Sequence, residues 1–101
     1  MKKIIFTLCI ILFAHGSFAE TKMDLGLEVY NNNAQCGVCH TLQAAGSSAV
    51  IGPNLDQLKP SIDRIIYVVT NGIGVMQAWE GILTDNEIET VAYYIFNSTN
   101  K

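Results

Sequence analysis

The chain has 101 residues, half of them apolar, and a formal net charge of −3. That length holds one domain and is too short for a Rossmann domain or a TIM barrel. The acidic balance argues against nucleic-acid binding, which usually brings a basic patch.

Residues 1–19 read as a secretory signal peptide. Lys2 and Lys3 form its charged start, and Ile4 to Ala14 is an apolar run broken only by Thr7. Ser17-Phe18-Ala19 places small residues at the two positions that a signal peptidase reads. The competing reading is an uncleaved anchor, but spanning a bilayer takes ~20 apolar residues. Cys9 follows Leu8, where a lipoprotein signal needs a small residue, so it reads as part of the discarded segment. Cleavage after Ala19 leaves residues 20–101 as the domain: 82 residues, 37 of them apolar, with four cations and nine acids for a net charge of −5. His40 is then the only histidine, Cys36 and Cys39 the only cysteines, and Met23 and Met76 the only methionines. So thin a core often depends on a disulfide, a metal or a large cofactor. The expected compartment is extracytoplasmic and oxidising, where a disulfide is possible.

Three helices are expected in the remaining chain. The first runs from about Lys22 to Asn32, with Gly26, Val29 and Tyr30 at helical spacing and the run Asn31-Asn32-Asn33 as its stop. The second runs from about Ser61 to Thr70, where Ile62, Ile65, Ile66 and Val69 form one apolar face. Pro60-Ser61 starts it and Asn71-Gly72 ends it. The third runs from about Asp85 to Asn97, with Thr84 and Glu87 in a capping box and Ile88, Val91, Ala92 and Ile95 on one face. Val68-Val69 and Tyr93 to Phe96 have some strand character, but periodicity and caps favour helix, and no β-α-β alternation occurs. The class is therefore all-α. Two loops, Thr41 to Lys59 and Gly72 to Leu83, are long for a domain of this size and need something to pack on. A planar cofactor would supply it.

The chemistry lies in Cys36-Gly37-Val38-Cys39-His40, a C-x-x-C-H sequence that reads as c-type haem attachment. Two thiols on one turn of chain can add to the two haem vinyl groups as thioethers, and the adjacent imidazole is then held under the iron. Three other uses of such cysteines compete. A redox-active dithiol usually opens a helix after a strand, and no such strand is evident. A disulfide across two intervening residues would constrain little. A closed zinc site needs four Cys or His ligands, and three remain. With His40 committed to one face of the haem, bis-histidine ligation within the chain is excluded, which leaves Met23 and Met76 for the other. Met23 stands 17 residues before His40 and would have to cross the haem edge. Met76 stands 36 residues after it, in a glycine-rich loop that can wrap to the opposite side, and is the preferred ligand.

Over nearly the whole expected mature chain, these residues resemble the class I cytochrome c family, small monohaem proteins of the bacterial periplasm. The resemblance rests on Gly26 and Tyr30 in the first helix, on Cys36, Cys39 and His40, and on Gly52-Pro53-Asn54-Leu55. It continues through Asn71-Gly72-x-Gly-x-Met76 to Val91, Ala92 and Tyr94 in the last helix. It implies the small cytochrome c fold, three main helices with long loops around one covalent haem c. It also implies that the Pro53 carbonyl accepts a hydrogen bond from the His40 ring and that Gly26 lets the first and last helices cross closely beside Tyr30 and Tyr94. Trp79 is expected near the haem, over a propionate in some arrangements; core packing is the plainer use of these aromatics. Many relatives carry Pro after the ligand Met, where this chain has Gln77. That puts the rigidity of the loop in question.

The function expected is one-electron transfer by a monomer without catalytic residues. Its partners are redox proteins, met through a basic docking surface that suits a charge of −5. No nucleic acid and no lasting membrane insertion are expected. Two alternatives stand beside it: a dedicated electron-transfer subunit of a periplasmic dehydrogenase or oxidase, and a haem peroxidase or gas-binding protein if Met76 detaches.

Overall fold

The computed structural model describes residues 18–101. Most of the expected export signal, up to Ser17, lies outside the described residues. The chain runs through α1 (Phe18–Glu28), a wider π-helical turn (Val29–Asn33) and a 3-10 turn (Cys36–Val38). A small hairpin follows, β1 (Thr41–Leu42) and β2 (Ser47–Ser48), joined by a 3-10 turn at Gln43–Ala45. Three more helices complete the chain: α2 (Leu55–Leu58), α3 (Ile62–Asn71) and α4 (Asp85–Thr99).

α3 and α4 form where periodicity and caps place them. The Ser61 hydroxyl accepts from Arg64 N at 3.1 Å, and Gly72 ends α3 with φ 74°. At α4 the capping box closes in both directions: Glu87 N donates to Thr84 Oγ1 at 3.1 Å, and Thr84 N donates to Glu87 Oε1 at 2.9 Å. α4 continues two residues beyond the expected end at Asn97. Thr99 fills the last turn by donating to the Ile95 carbonyl at 2.9 Å.

Three features depart from the expected layout. α1 starts before Lys22, and the stretch Val29–Asn33 widens into a π turn closed by Ala34 N donating to Val29 O at 2.9 Å. The loop from Thr41 to Lys59 is not open chain: it holds the hairpin, in which Thr41 pairs with Ser48 and Leu42 with Ser47, and it holds α2. α2 is one turn long, too short for any periodicity. Its signals are the Asn54 cap, which accepts from Gln57 N at 3.2 Å, and the stop at Lys59-Pro60, where Lys59 takes φ 47°. The architecture stays helical, with the two-stranded hairpin as its only sheet among the described residues.

The core forms where α1 crosses α4. A Cβ on Gly26 would collide with the Tyr94 Cβ and lie 2.8 Å from the Thr90 carbonyl. Only glycine permits that approach. Tyr30 and Tyr94 meet beside it with ring centroids 6.0 Å apart, and the Lys22 ammonium sits 4.6 Å from the centre of the Tyr93 ring. Tyr30, Leu42 and Val91 are the largest fully buried side chains. α3 joins through Ile65 and Val69, and α2 through Leu55. None of the described helices is long and apolar enough to cross a membrane.

Candidate functional site

Gln35 bends the chain into the motif. It adopts the left-handed conformation, φ 50° and ψ 46°, at the start of the Cys36–Val38 turn. Two amides then close on one carbonyl, Cys39 N donating to Cys36 O at 3.2 Å and His40 N to the same oxygen at 3.0 Å. Cys36, Cys39 and His40 are thereby brought onto one tight turn.

Both cysteines are free and half-buried. Burial pushes the Cys36 thiol up to about 11 and the neighbouring Cys39 adds to the rise, while a hydrogen bond to Cys36's own backbone opposes it. A reactive dithiol needs its thiolate stabilised, so this environment does not suit one. Nor does the set suit zinc: among the described residues, no group of three or more His, Cys, Asp or Glu side chains could hold a metal ion.

His40 is fixed from the loop that follows the hairpin. Its Nδ1 lies 2.8 Å from the Pro53 carbonyl oxygen. A carbonyl can only accept, so Nδ1 carries a proton, and in the neutral ring Nε2 is the nitrogen that keeps its lone pair. This is the bond expected of Pro53. Gly52 makes the approach possible: a Cβ there would lie 2.6 Å from Cε1 and 3.0 Å from Nε2 of the His40 ring. The Gly52 amide also donates to the Cys39 carbonyl at 2.7 Å, tying this loop to the motif turn. Sequence reasoning placed Gly52 in a family segment without assigning it this part. Its signal was the Gly-Pro pair, which marks a turn but not what the turn touches.

Met76 sits on a tight turn after α3. Ile73 N donates to Met76 O at 3.1 Å, and Met76 N donates to Ile73 O at 2.9 Å. Gly72 makes room, since a Cβ there would lie 2.7 Å from the Met76 carbonyl oxygen and 2.8 Å from Ala78 N. Val75 is 98% exposed, whereas the next side chain, Met76, turns inward against the core cluster. Trp79 packs against the same cluster and anchors the loop exit. Its amide donates to Val69 O at 2.8 Å, and its carbonyl accepts from Ile82 and Leu83 at 3.0 and 2.9 Å. Met23, on α1, packs against that cluster too. The structure thus brings Cys36, Cys39, His40 and Pro53 together directly. Met76 and Trp79 stand on a separate loop that shares only the core with them. Among the described residues, no hydrogen bond joins that loop to the motif turn.

The donors present fit a haem c. Two unbonded thiols lie on one turn, and beside them is an imidazole whose Nδ1 is already committed and whose Nε2 is bare.

Fold and site together define a c-type cytochrome, and comparison with known proteins agrees. Residues 21–95 match the family model for cytochrome c oxidase, cbb3-type, subunit III. Cytochrome c6 of Porphyra purpurea is 35% identical over 103 residues, covering 95% of this chain and 88% of that protein. Cytochrome c6 of Tetradesmus obliquus is 34% identical over 86 residues, covering 76% and 93%. Among solved structures, the c-type cytochrome SorU from Sinorhizobium meliloti superposes with a TM-score of 0.76 at 46% identity, covering 81% of this chain and 95% of that one. The chain belongs to the cytochrome c family, as a small class I monohaem c-type cytochrome. Its cofactor is haem c, and it is an electron carrier rather than an enzyme.

Proposed function

We propose that this chain is a periplasmic one-electron carrier in which Cys36 and Cys39 hold haem c as thioethers and His40 and Met76 are its axial ligands. The observation that carries this reading is the 2.8 Å contact from His40 Nδ1 to the Pro53 carbonyl, which leaves Nε2 as a lone-pair donor. Bound haem c supplies the one-electron couple of its iron. The chain supplies the rest. Pro53 and Gly52 fix the ring of His40, and the Gly72 turn presents Met76 inward on a loop that Trp79 fastens to α3. Met76 is favoured over Met23 because α1 commits Met23 to a helix that crosses α4, whereas Met76 stands outside any helix, on the turn between α3 and α4. Trp79 stands three residues beyond Met76, half-buried, and belongs beside the haem. A thioether ligand favours the reduced iron and a high potential.

The partners are redox proteins with a basic docking face. Asp24, Glu28, Asp63, Glu80, Asp85 and Glu89 are all exposed, which supports this complementarity. Residues 1–19 direct export to the periplasm, and the mature domain acts as a monomer. A second reading, a dedicated electron-transfer subunit of a larger complex, is favoured by one observation: the matching family model is that of an oxidase subunit. Stable co-purification with one large enzyme would select it.

The test is expression with haem-maturation machinery, followed by optical spectra in both oxidation states. Wild type is expected to be low-spin and to resist cyanide and carbon monoxide. Met76→Ala should keep the haem attached, lose the near-infrared thioether-to-iron band and bind both ligands at neutral pH. A band that survives in Met76→Ala would assign the ligand to Met23.

A further inference from the structure

Gly52 and Pro53 hold the His40 ring from one side. A second set of contacts holds the backbone on which that ring is mounted. Tyr30 is fully buried, and its hydroxyl lies 2.9 Å from Ser47 Oγ. Ser47 Oγ also accepts from Leu42 N at 3.0 Å and donates to Leu42 O at 3.3 Å. A serine hydroxyl has one proton and two lone pairs. Ser47 Oγ thus has three partners, Leu42 N, Leu42 O and the Tyr30 phenol, and either hydroxyl can be the donor of the bond between Ser47 and Tyr30. The His40 carbonyl lies 3.5 Å from the same phenol, at the edge of its reach. Ser47 also presses on the motif turn itself, since a Cβ on Gly37 would lie 2.9 Å from the Ser47 Cβ. One side chain thus touches the chain three residues before His40 and again two residues after it.

We infer that Ser47 and Tyr30 are positioning residues for His40: together they fix the backbone from which the ring projects, so that Nε2 keeps one direction. This rests on the reading of His40 as an axial ligand. The competing account is that Ser47 merely closes the hairpin. That hairpin has another side-chain bond, Thr41 Oγ1 donating to Ala49 O at 2.8 Å, which touches neither Tyr30 nor Gly37 and so provides a control.

The experiment uses the haem-loaded protein and compares Ser47→Ala, Tyr30→Phe, the double variant, Ser47→Thr and Thr41→Val. Three quantities are read: the midpoint potential, the hyperfine-shifted proton NMR signals of the His40 ring, and urea stability. Wild-type spectra without bound-imidazole signals would overturn the ligand reading itself. With those signals present, Ser47→Ala and Tyr30→Phe are expected to move them and to raise the potential. The rise is expected because a loosened nitrogen donor supports oxidised iron less. The expected size is about a threefold change in the equilibrium constant of the couple, ~28 mV for one electron. The double variant should move no further than the larger single one, and Ser47→Thr should restore the wild-type values. Thr41→Val should lower stability alone. The inference is overturned if Ser47→Ala loses stability with potential and ring signals unchanged, or if Thr41→Val shifts them equally. Should Ser47→Ala fail to accumulate, Tyr30→Phe, which keeps the ring packing, decides by the same criteria.

Discussion

At the scale of single residues, Tyr30 joins the core to the site and makes stability depend on pH. Burial pushes its hydroxyl from the ordinary value of 10.0 up to about 12. The bond to Ser47 works against that rise, while Cys36, Tyr94 and Asp56 add to it. The fold therefore keeps a proton that the unfolded chain gives up. The resulting stability is complete below pH 10 and is lost as pH rises through about 12. Urea titrations above pH 10 should show stability falling with a slope approaching ~1.4 kcal/mol per pH unit. Tyr30→Phe should flatten that slope, although Tyr94, which burial also raises, leaves a remainder. An unchanged slope in Tyr30→Phe would remove Tyr30 as its source. Much of the site was legible at this scale, because Cys36, Cys39, His40 and Pro53 stand in short runs whose chemistry is local. Ser47 was not: it sits among small polar residues, and its partner Tyr30 lies 17 positions away. A contact that depends on how an element packs leaves no mark in a local pattern.

At the scale of elements, the crossing of α1 and α4 depends on one absent side chain. Two effects oppose each other at Gly26. Alanine there would gain ~1 kcal/mol of helix propensity. Its methyl would meet the Tyr94 Cβ and the Thr90 carbonyl, and overpacking of that kind costs ~1–3 kcal/mol or more. Both obstacles are firmly placed, so the clash wins. Gly26→Ala is expected to lower stability by ~2 kcal/mol in urea titrations, and a neutral or stabilised variant would refute the close crossing. α3 and α4 were readable because each has a cap and a full apolar stripe. α2 and the hairpin were not, because one helical turn and two strands of two residues are too short for periodicity to register. The π turn at Val29–Asn33 has no sequence signature beyond the asparagines that stop the helix.

At the scale of the whole molecule, the buried cluster is small, and much of it comes from α3, α4 and the π turn that follows α1. A chain with so little core is marginal without a large bound group. Expressed without haem attachment, residues 20–101 are expected to show weak helical circular dichroism and no cooperative melt. A sharply melting helical apo-protein would contradict this. Residues 20–101 alone would carry a net charge of −5, which has its own consequence for encounters. Screening shortens from about 30 Å at 0.01 M salt to about 8 Å at 0.15 M. The bimolecular rate with a basic-faced redox partner should fall several-fold across that range. A flat salt profile would show that the acids serve solubility rather than steering.

The helix crossing at Gly26 also governs when the protein can finish folding. α1 is the first described element to leave the ribosome and α4 the last, and they close on each other. The contact that completes the core is thus a loop closure across almost the entire domain, and it cannot form until Thr90 and Tyr94 have joined the chain. A chain that has not made this closure lacks the packing that half-buries Cys36 and Cys39 in the folded structure.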